Sequence, residues 1–335
     1  MPIDAFFAPV QQLKASFAQL IHCDAPDRIA LIPAASYGIA TVAKNLPLRK
    51  RQQIVVVQDQ FPSNYYAWHR LCGDAGGELV TVKKPAGSSS WSDRVLGSIT
   101  RDTAAVAIAH LHWADGTLFD LEAIRRRTDE VGAWLIIDGT QSIGAYPFDV
   151  RKIRPDALVA GGYKWLLGPY GTGYAYYGPR MDEGVPLEEN WINRADSHEF
   201  HRLADYRHAY RPLAARYSVG EHSNFIGIPM QQAALDVLNA WTPEGVQAYT
   251  EQLWEPILDD LASLGVEMTQ QRAHHLVGLR LPPQLPLERV KQALLDREVT
   301  VSYRGDSVRV SPNVYNRLEE MYRLLEALRA AATRT

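Results

Sequence analysis

The sequence predicts an α/β protein: a mostly parallel seven-stranded sheet with helices on both faces, followed by a smaller α+β domain. Three observations point there. Between residues 28 and 178, short apolar runs alternate with longer segments of helical period. Those runs stay apolar at successive positions, as strands buried on both faces do. The chain has 335 residues, 46% of them hydrophobic, enough to bury one large core and a second, smaller one.

Taken in order, residues 1–27 read as an N-terminal helical segment, residues 28–241 as the large domain and residues 242–335 as the small one. The strand candidates are 29–32, 54–57, 79–82, 104–109, 134–137, 157–160 and 174–177, each short and rich in β-branched, aromatic or small apolar residues. Helices are expected at 37–45, 64–72 and 120–131, the last with Asp120 as N-cap ahead of Leu121, Ile124 and Val131 on one face. Residues 179–217 are rich in charge, Asn and His and lack a clear period, which predicts loop with short helical pieces. Beyond them the pattern gives a long helix at 223–241, another at 246–264 and a β-like stretch at 275–281. A helix at 287–296, strands around 299–303 and 308–310, and a last helix at 315–332 complete the small domain.

The formal net charge of −3 and the lack of a basic run argue against a nucleic-acid or anionic-lipid partner. The two cysteines, Cys23 and Cys72, lie far apart and outside any Cys-x-x-Cys or Cys/His cluster, so no metal is expected and a reducing compartment suits them. Residues 1–10 have no basic region followed by a long apolar stretch, and no segment approaches the ~20 apolar residues that span a bilayer. The expectation is a cytoplasmic protein without a membrane partner.

Chemistry concentrates in one stretch. Trp134-Leu-Ile-Ile-Asp138-Gly-Thr-Gln141 is followed by Gly161-Gly-Tyr163-Lys164-Trp-Leu-Leu-Gly168-Pro-Tyr-Gly171. Asp138 and Lys164 each end an apolar run, and in a parallel sheet the C-terminal strand ends are where ligands bind. A carboxylate there can hold the proton of a pyridinium ring, and a lysine can condense with a cofactor aldehyde and later move a proton. Gln141 is placed to hydrogen-bond the ring's phenolic oxygen. Taken singly, Asp138 also reads as a strand-end cap and Lys164 as a surface residue in a Gly-rich turn.

This run resembles the cofactor-binding core of the class V aminotransferase family of fold-type I pyridoxal phosphate enzymes, which includes cysteine desulfurases, kynureninase and isopenicillin N epimerase-like proteins. The resemblance extends over roughly residues 18 to 330. It implies pyridoxal 5'-phosphate as cofactor, attached to Lys164 and paired at its ring nitrogen with Asp138. It also implies further cofactor contacts from Gln141, Tyr163, Ala35 and Ser36 (the phosphate turn), Phe61 (ring stacking), Trp113 (in the loop His110-Leu-His112-Trp113) and Ser223. Ser36 reads equally as a helix N-cap, Phe61 as core filler, and Ser223 and Asn224 as a helix cap. The resemblance assigns Asn224 and Arg309 to the substrate, Arg309 gripping its carboxylate with a planar fork of N–H groups; Arg304 is near enough in sequence to compete. A homodimer with a shared active site follows from the same resemblance, through the segment Glu221-His222-Ser223-Asn224.

Two departures matter. Cysteine desulfurases of the usual kind use a thiol in the C-terminal half, and here no cysteine follows Cys72. Relatives also carry several dozen residues ahead of the first helix, so the expectation here is either a more open substrate pocket or a cover supplied by other parts such as residues 183–217. Aminotransfer to a 2-oxo acid is the leading expectation for a small amino acid substrate. Lyase or epimerase chemistry on the same fold is the alternative, and a binding protein that has lost the chemistry is a third reading.

Overall fold

The computed structural model describes residues 4–84, 90–304 and 307–333. Residues 1–3 of the expected N-terminal segment and 334–335 of the expected small domain lie outside them. The chain divides into two compact units: Met1–His110 with Phe119–Ala240, and Leu111–Leu118 with Trp241–Thr335.

The first unit is built on strands β1 (Ile29–Ile32), β2 (Gln53–Val57), β3 (Glu78–Val82), β4 (Thr103–Ala109), β5 (Trp134–Asp138), β6 (Ala157–Gly161) and β7 (Gly173–Tyr177). They form one sheet in the order β1-β7-β6-β5-β4-β2-β3. All neighbours are parallel except those of β7, which runs antiparallel to β6 and β1. β1 therefore points the same way as β6, and the C-terminal ends of β1, β2, β4, β5 and β6 lie along one edge. Period-two alternation divides each strand between two cores. Leu135, Ile137, Leu158 and Ala160 face one side, and Trp134, Ile136, Ala157 and Val159 the other. Each fully buried Leu, Ile or Val contributes about 1.5–3 kcal/mol by leaving water.

Helices cover both faces. α1 (Asp4–Leu20), α4 (Trp91–Ser98), α5 (Leu121–Val131), α6 (Val150–Ile153) and α7 (Gly227–Trp241) pack on the first core, and α2 (Ala35–Asn45) and α3 (Tyr66–Ala75) on the second. α1 thus belongs to the large unit instead of standing apart as an N-terminal segment. A Cβ on Gly38 of α2 would stand 2.6 Å from Val159 Cγ1, so glycine is what lets this helix lie against β6. α4 has no counterpart in the sequence expectations; Ser90 and Asp93 form a capping box at its start. α7 begins later than residue 223 because Asn224 Oδ1 accepts from the N–H groups of Ile226 and Gly227.

The second unit has a three-stranded antiparallel sheet, β8 (Val277–Arg280), β9 (Ser302–Arg304) and β10 (Ser307–Val310), in the order β8-β10-β9. Around it pack α8 (Pro243–Trp254), α9 (Leu258–Ser263), α10 (Leu287–Leu295) and α11 (Leu318–Thr333). The single helix expected at 246–264 is two, separated by a 3-10 turn at Glu255–Ile257 where Pro256 has no N–H to give. Leu111–Leu118 joins this unit through Gly116, whose φ is +76° and whose Cβ would fall 1.8 Å from the Leu276 carbonyl oxygen. The Gly278 N–H donates to the Asp115 carbonyl and the Ala273 N–H to the Gly116 carbonyl. Among the described residues no helix is long and apolar enough to cross a membrane.

Candidate active site

The strand edge of the first unit collects the residues the sequence singled out. Asp138 is the last residue of β5, and Lys164 follows the end of its parallel neighbour β6 by three positions. The Asp138 side chain shares the face of Trp134 and Ile136, the face covered by α2 and α3. Burial pushes its carboxyl above the usual range, while hydrogen bonds from Thr140 and the positive charge of Lys164 pull it back. The Thr140 N–H donates to Asp138 Oδ1 at 2.9 Å.

Lys164 sits on a loop closed at its base. The Gly162 N–H donates to the Thr172 carbonyl, the Gly168 N–H to the Gly162 carbonyl, and the Leu167 N–H to the Lys164 carbonyl. Its Nζ stands 5.4 Å from the Phe61 ring centroid and 5.6 Å from that of Tyr163, within cation–π range of both. Phe61 enters from the turn after β2 and is 39% exposed, so it is not core filler. Gln141 Oε1 accepts from Trp165 Nε1 at 3.0 Å, which fixes the amide's orientation.

Ala35 and Ser36 are the first two residues of α2. The N-cap is Ala34, which supplies no side-chain hydrogen bond, so Ser36 is not the cap and the backbone N–H groups there are left to another acceptor. Ser223 and Asn224 are occupied within the chain. Ser223 Oγ donates to the Phe6 carbonyl, and Asn224 caps α7.

Trp113 and Arg309 lie in the second unit. Arg309 donates through Nε to Ser302 Oγ at 3.0 Å and through Nη1 to the Trp113 carbonyl at 2.8 Å. The Arg304 guanidinium stacks over the Trp113 ring at 5.0 Å. Burial and the charge of Arg304 push Arg309 down to about 10, so it stays cationic at neutral pH. Among the described residues neither arginine has an acidic ion-pair partner, and Arg304 Nε is buried without a hydrogen bond. His112 Nδ1 stands 3.5 Å from Asp115 Oδ1; burial raises the Asp115 carboxyl, but His112 and Thr117 hold it at about 2.

Sequence reasoning missed Thr140 and Trp165, which hold Asp138 and Gln141. Thr140 was open to inference, since an Asp with a residue two positions on forms a common turn. Trp165 was not, because its bond to Gln141 depends on how two loops fold.

The family Aminotransferase class-V matches residues 4–330. The chain belongs to this family. An uncharacterized aminotransferase of Bacillus subtilis is 24% identical over 95% of this chain and 82% of its own length. A probable cysteine desulfurase of Methanothermobacter thermautotrophicus is 27% identical over 96% and 84%. Among solved structures, the cystine C-S lyase C-DES in complex with its product cysteine persulfide superimposes with a TM-score of 0.83 at 19% identity, covering 96% of this chain and 86% of that one. This class-V protein is a pyridoxal phosphate-dependent enzyme.

The residues present fit that cofactor. A buried carboxylate whose ionised form is costly suits a protonated ring nitrogen, an amine stands beside a half-exposed aromatic ring, and a helix N-terminus without a side-chain cap suits a phosphate dianion. Lys164→Ala should abolish borohydride trapping of the cofactor on the protein, read by peptide mass, and lower turnover by roughly 10³-fold or more. Trapping that persists on a different lysine would move the attachment point.

Proposed function

We propose that this enzyme transfers the amino group of a small amino acid to a 2-oxo acid. Lys164 holds the cofactor and moves the α-proton, Asp138 pairs with the ring nitrogen, and Phe61 flanks the ring. Tyr163, Gln141 and the α2 residues Ala35 and Ser36 supply the remaining cofactor contacts. The observation carrying this reading is that Lys164's charge acts on buried Asp138 while its amine stands 5.4 Å from the Phe61 ring centroid. When bound, pyridoxal phosphate supplies an electron sink for the substrate's α-carbon. The protein keeps that sink charged through Asp138 and supplies the mobile proton through Lys164.

Arg309 takes the substrate carboxylate. Its Nε and Nη1 are fixed by Ser302 and Trp113, which orients the fork and leaves Nη2 unpaired among the described residues. Arg304 stacks on the ring of the same Trp113 whose carbonyl holds Arg309. Arg309→Ala should raise KM for amino acids about 10–100-fold, as loss of a charged hydrogen-bond pair does, with little change in cofactor affinity. If Arg304→Ala has that effect and Arg309→Ala does not, the two roles are exchanged.

Lyase chemistry is the second reading, favoured by the desulfurase and C-S lyase names of its relatives. Against the desulfurase form, the chain's two thiols, Cys23 and Cys72, are both raised by burial, which disfavours a nucleophilic thiolate. A screen of amino acids and sulfur-containing analogues should convert the cofactor to its amine form with one amino acid alone. Steady release of ammonia with pyruvate, or of persulfide, would establish the lyase.

The assembly we propose is a homodimer. Tyr163, Leu167 and Tyr170 are exposed on the Lys164 loop, and Phe225, Ile226 and Met230 are exposed at the start of α7. A Cβ on Gly168 would come 3.5 Å from Gln231 Cγ, so the loop and the helix adjoin. An apolar set of this kind suits a second copy of the chain. A holoenzyme that sediments as a monomer at micromolar concentration removes this part of the reading. Two free cysteines are in keeping with a cytoplasmic location.

A further inference from the structure

The turn that holds Arg309 is itself built around a carboxylate. Leu111 and Leu118 form an antiparallel bridge, and between them the His112 N–H donates to the Thr117 carbonyl and the Gly116 N–H to the His112 carbonyl, each at 2.8 Å. Asp115 belongs to this turn. Its Oδ1 accepts from the Thr117 N–H at 3.1 Å and from Thr117 Oγ1 at 2.8 Å, and His112 Nδ1 stands 3.5 Å away. A carboxylate that accepts from the backbone N–H two residues on locks a turn with a single side chain.

The strands decide where the turn lies. Val277, Leu279, Val308 and Val310 face the core of the second unit, so Gly278 and Arg309, which are paired in register, share the opposite face with Ser302. A Cβ on Gly278 would come 2.7 Å from Asp115 Cα and 2.8 Å from its Cβ. Glycine across from Arg309 therefore leaves room on that face, and Asp115 occupies it, its carbonyl accepting from the Gly278 N–H at 3.0 Å. Two residues earlier in the same turn, the Trp113 carbonyl reaches Arg309 Nη1 at 2.8 Å.

We infer that Asp115 is a positioning residue for carboxylate capture: by locking the turn on Thr117 it holds the Trp113 carbonyl against Arg309 and so presets the guanidinium fork. This rests on Arg309 as the carboxylate site. An arginine side chain left to itself samples many rotamers, and ties made before the substrate arrives spare the cost of ordering it on binding. Ser302 fixes Nε from the neighbouring strand, and the turn fixes Nη1.

Spectral titration of the holoenzyme with an amino acid substrate, and with the primary amine that lacks its carboxylate, reads the effect. Asp115→Ala should raise the amino acid Kd about tenfold, as loss of an orienting charged hydrogen bond does, and leave that of the amine unchanged. Asp115→Asn keeps the oxygen that accepts from Thr117 and should recover most of the affinity. Thr117→Val deletes the hydroxyl's hydrogen bond and conserves shape; it should cost about threefold, and it carries the test should Asp115→Ala fail to fold. In an Arg309→Ala background, neither change should weaken amino acid binding further. An equal loss for the amine, or an Arg309→Ala that weakens amino acid binding while Asp115→Ala and Thr117→Val do not, overturns the positioning role. Arg309→Ala without effect removes instead the carboxylate assignment itself, and this inference with it.

Discussion

A carboxylate at the end of a strand covered on both faces is the constraint on which the chemistry of the first unit rests. Asp138 is paired in register with Ala109 of β4 and Val159 of β6, so its backbone is fixed from both sides. Water cannot solvate it well, and its carboxyl is raised accordingly. What keeps it usable is local: Thr140 two residues on, and the charge of Lys164 from the neighbouring loop. Because β5 and β6 are parallel, both side chains emerge at the same edge, where β1 also delivers the start of α2 and β2 the turn carrying Phe61. Were β6 antiparallel to β5, the lysine loop would open at the opposite edge and Asp138 would be a buried charge without purpose.

Much of this was legible in the sequence, for a physical reason. Strands buried on both faces leave no polar alternation and stand out as short apolar runs, and the seven expected runs match β1 to β7 to within one residue at either end. Asp138 and Lys164 were visible because each interrupts or follows such a run. Capping chemistry was legible too: Asp120 accepts from the Ala123 N–H at the start of α5.

What was not legible depended on distant segments meeting. Leu111–Leu118 reads as a loop of the large domain, yet the positive φ of Gly116 and its contact with Leu276 attach it to the second unit, where Trp113 serves Arg304 and Arg309. Ser223 reads as a cofactor or cap residue, and its hydroxyl goes to Phe6, more than two hundred positions away. The break at Pro256 was open to inference from proline chemistry alone, and the apolar period running through it concealed it.

Two buried charges of opposite sign in one unit show why burial alone does not define a role. Asp138 finds hydrogen bonds from its immediate neighbour and a cation on the adjoining loop, so the fold itself compensates most of the cost. Lys14 finds the reverse: burial and the charge of Arg211 both work against its ammonium, and the Asp27 charge that opposes them sits at the surface. A fold under no other demand would place a leucine or methionine at that point of α1, because such a side chain fills the space without desolvating a charge.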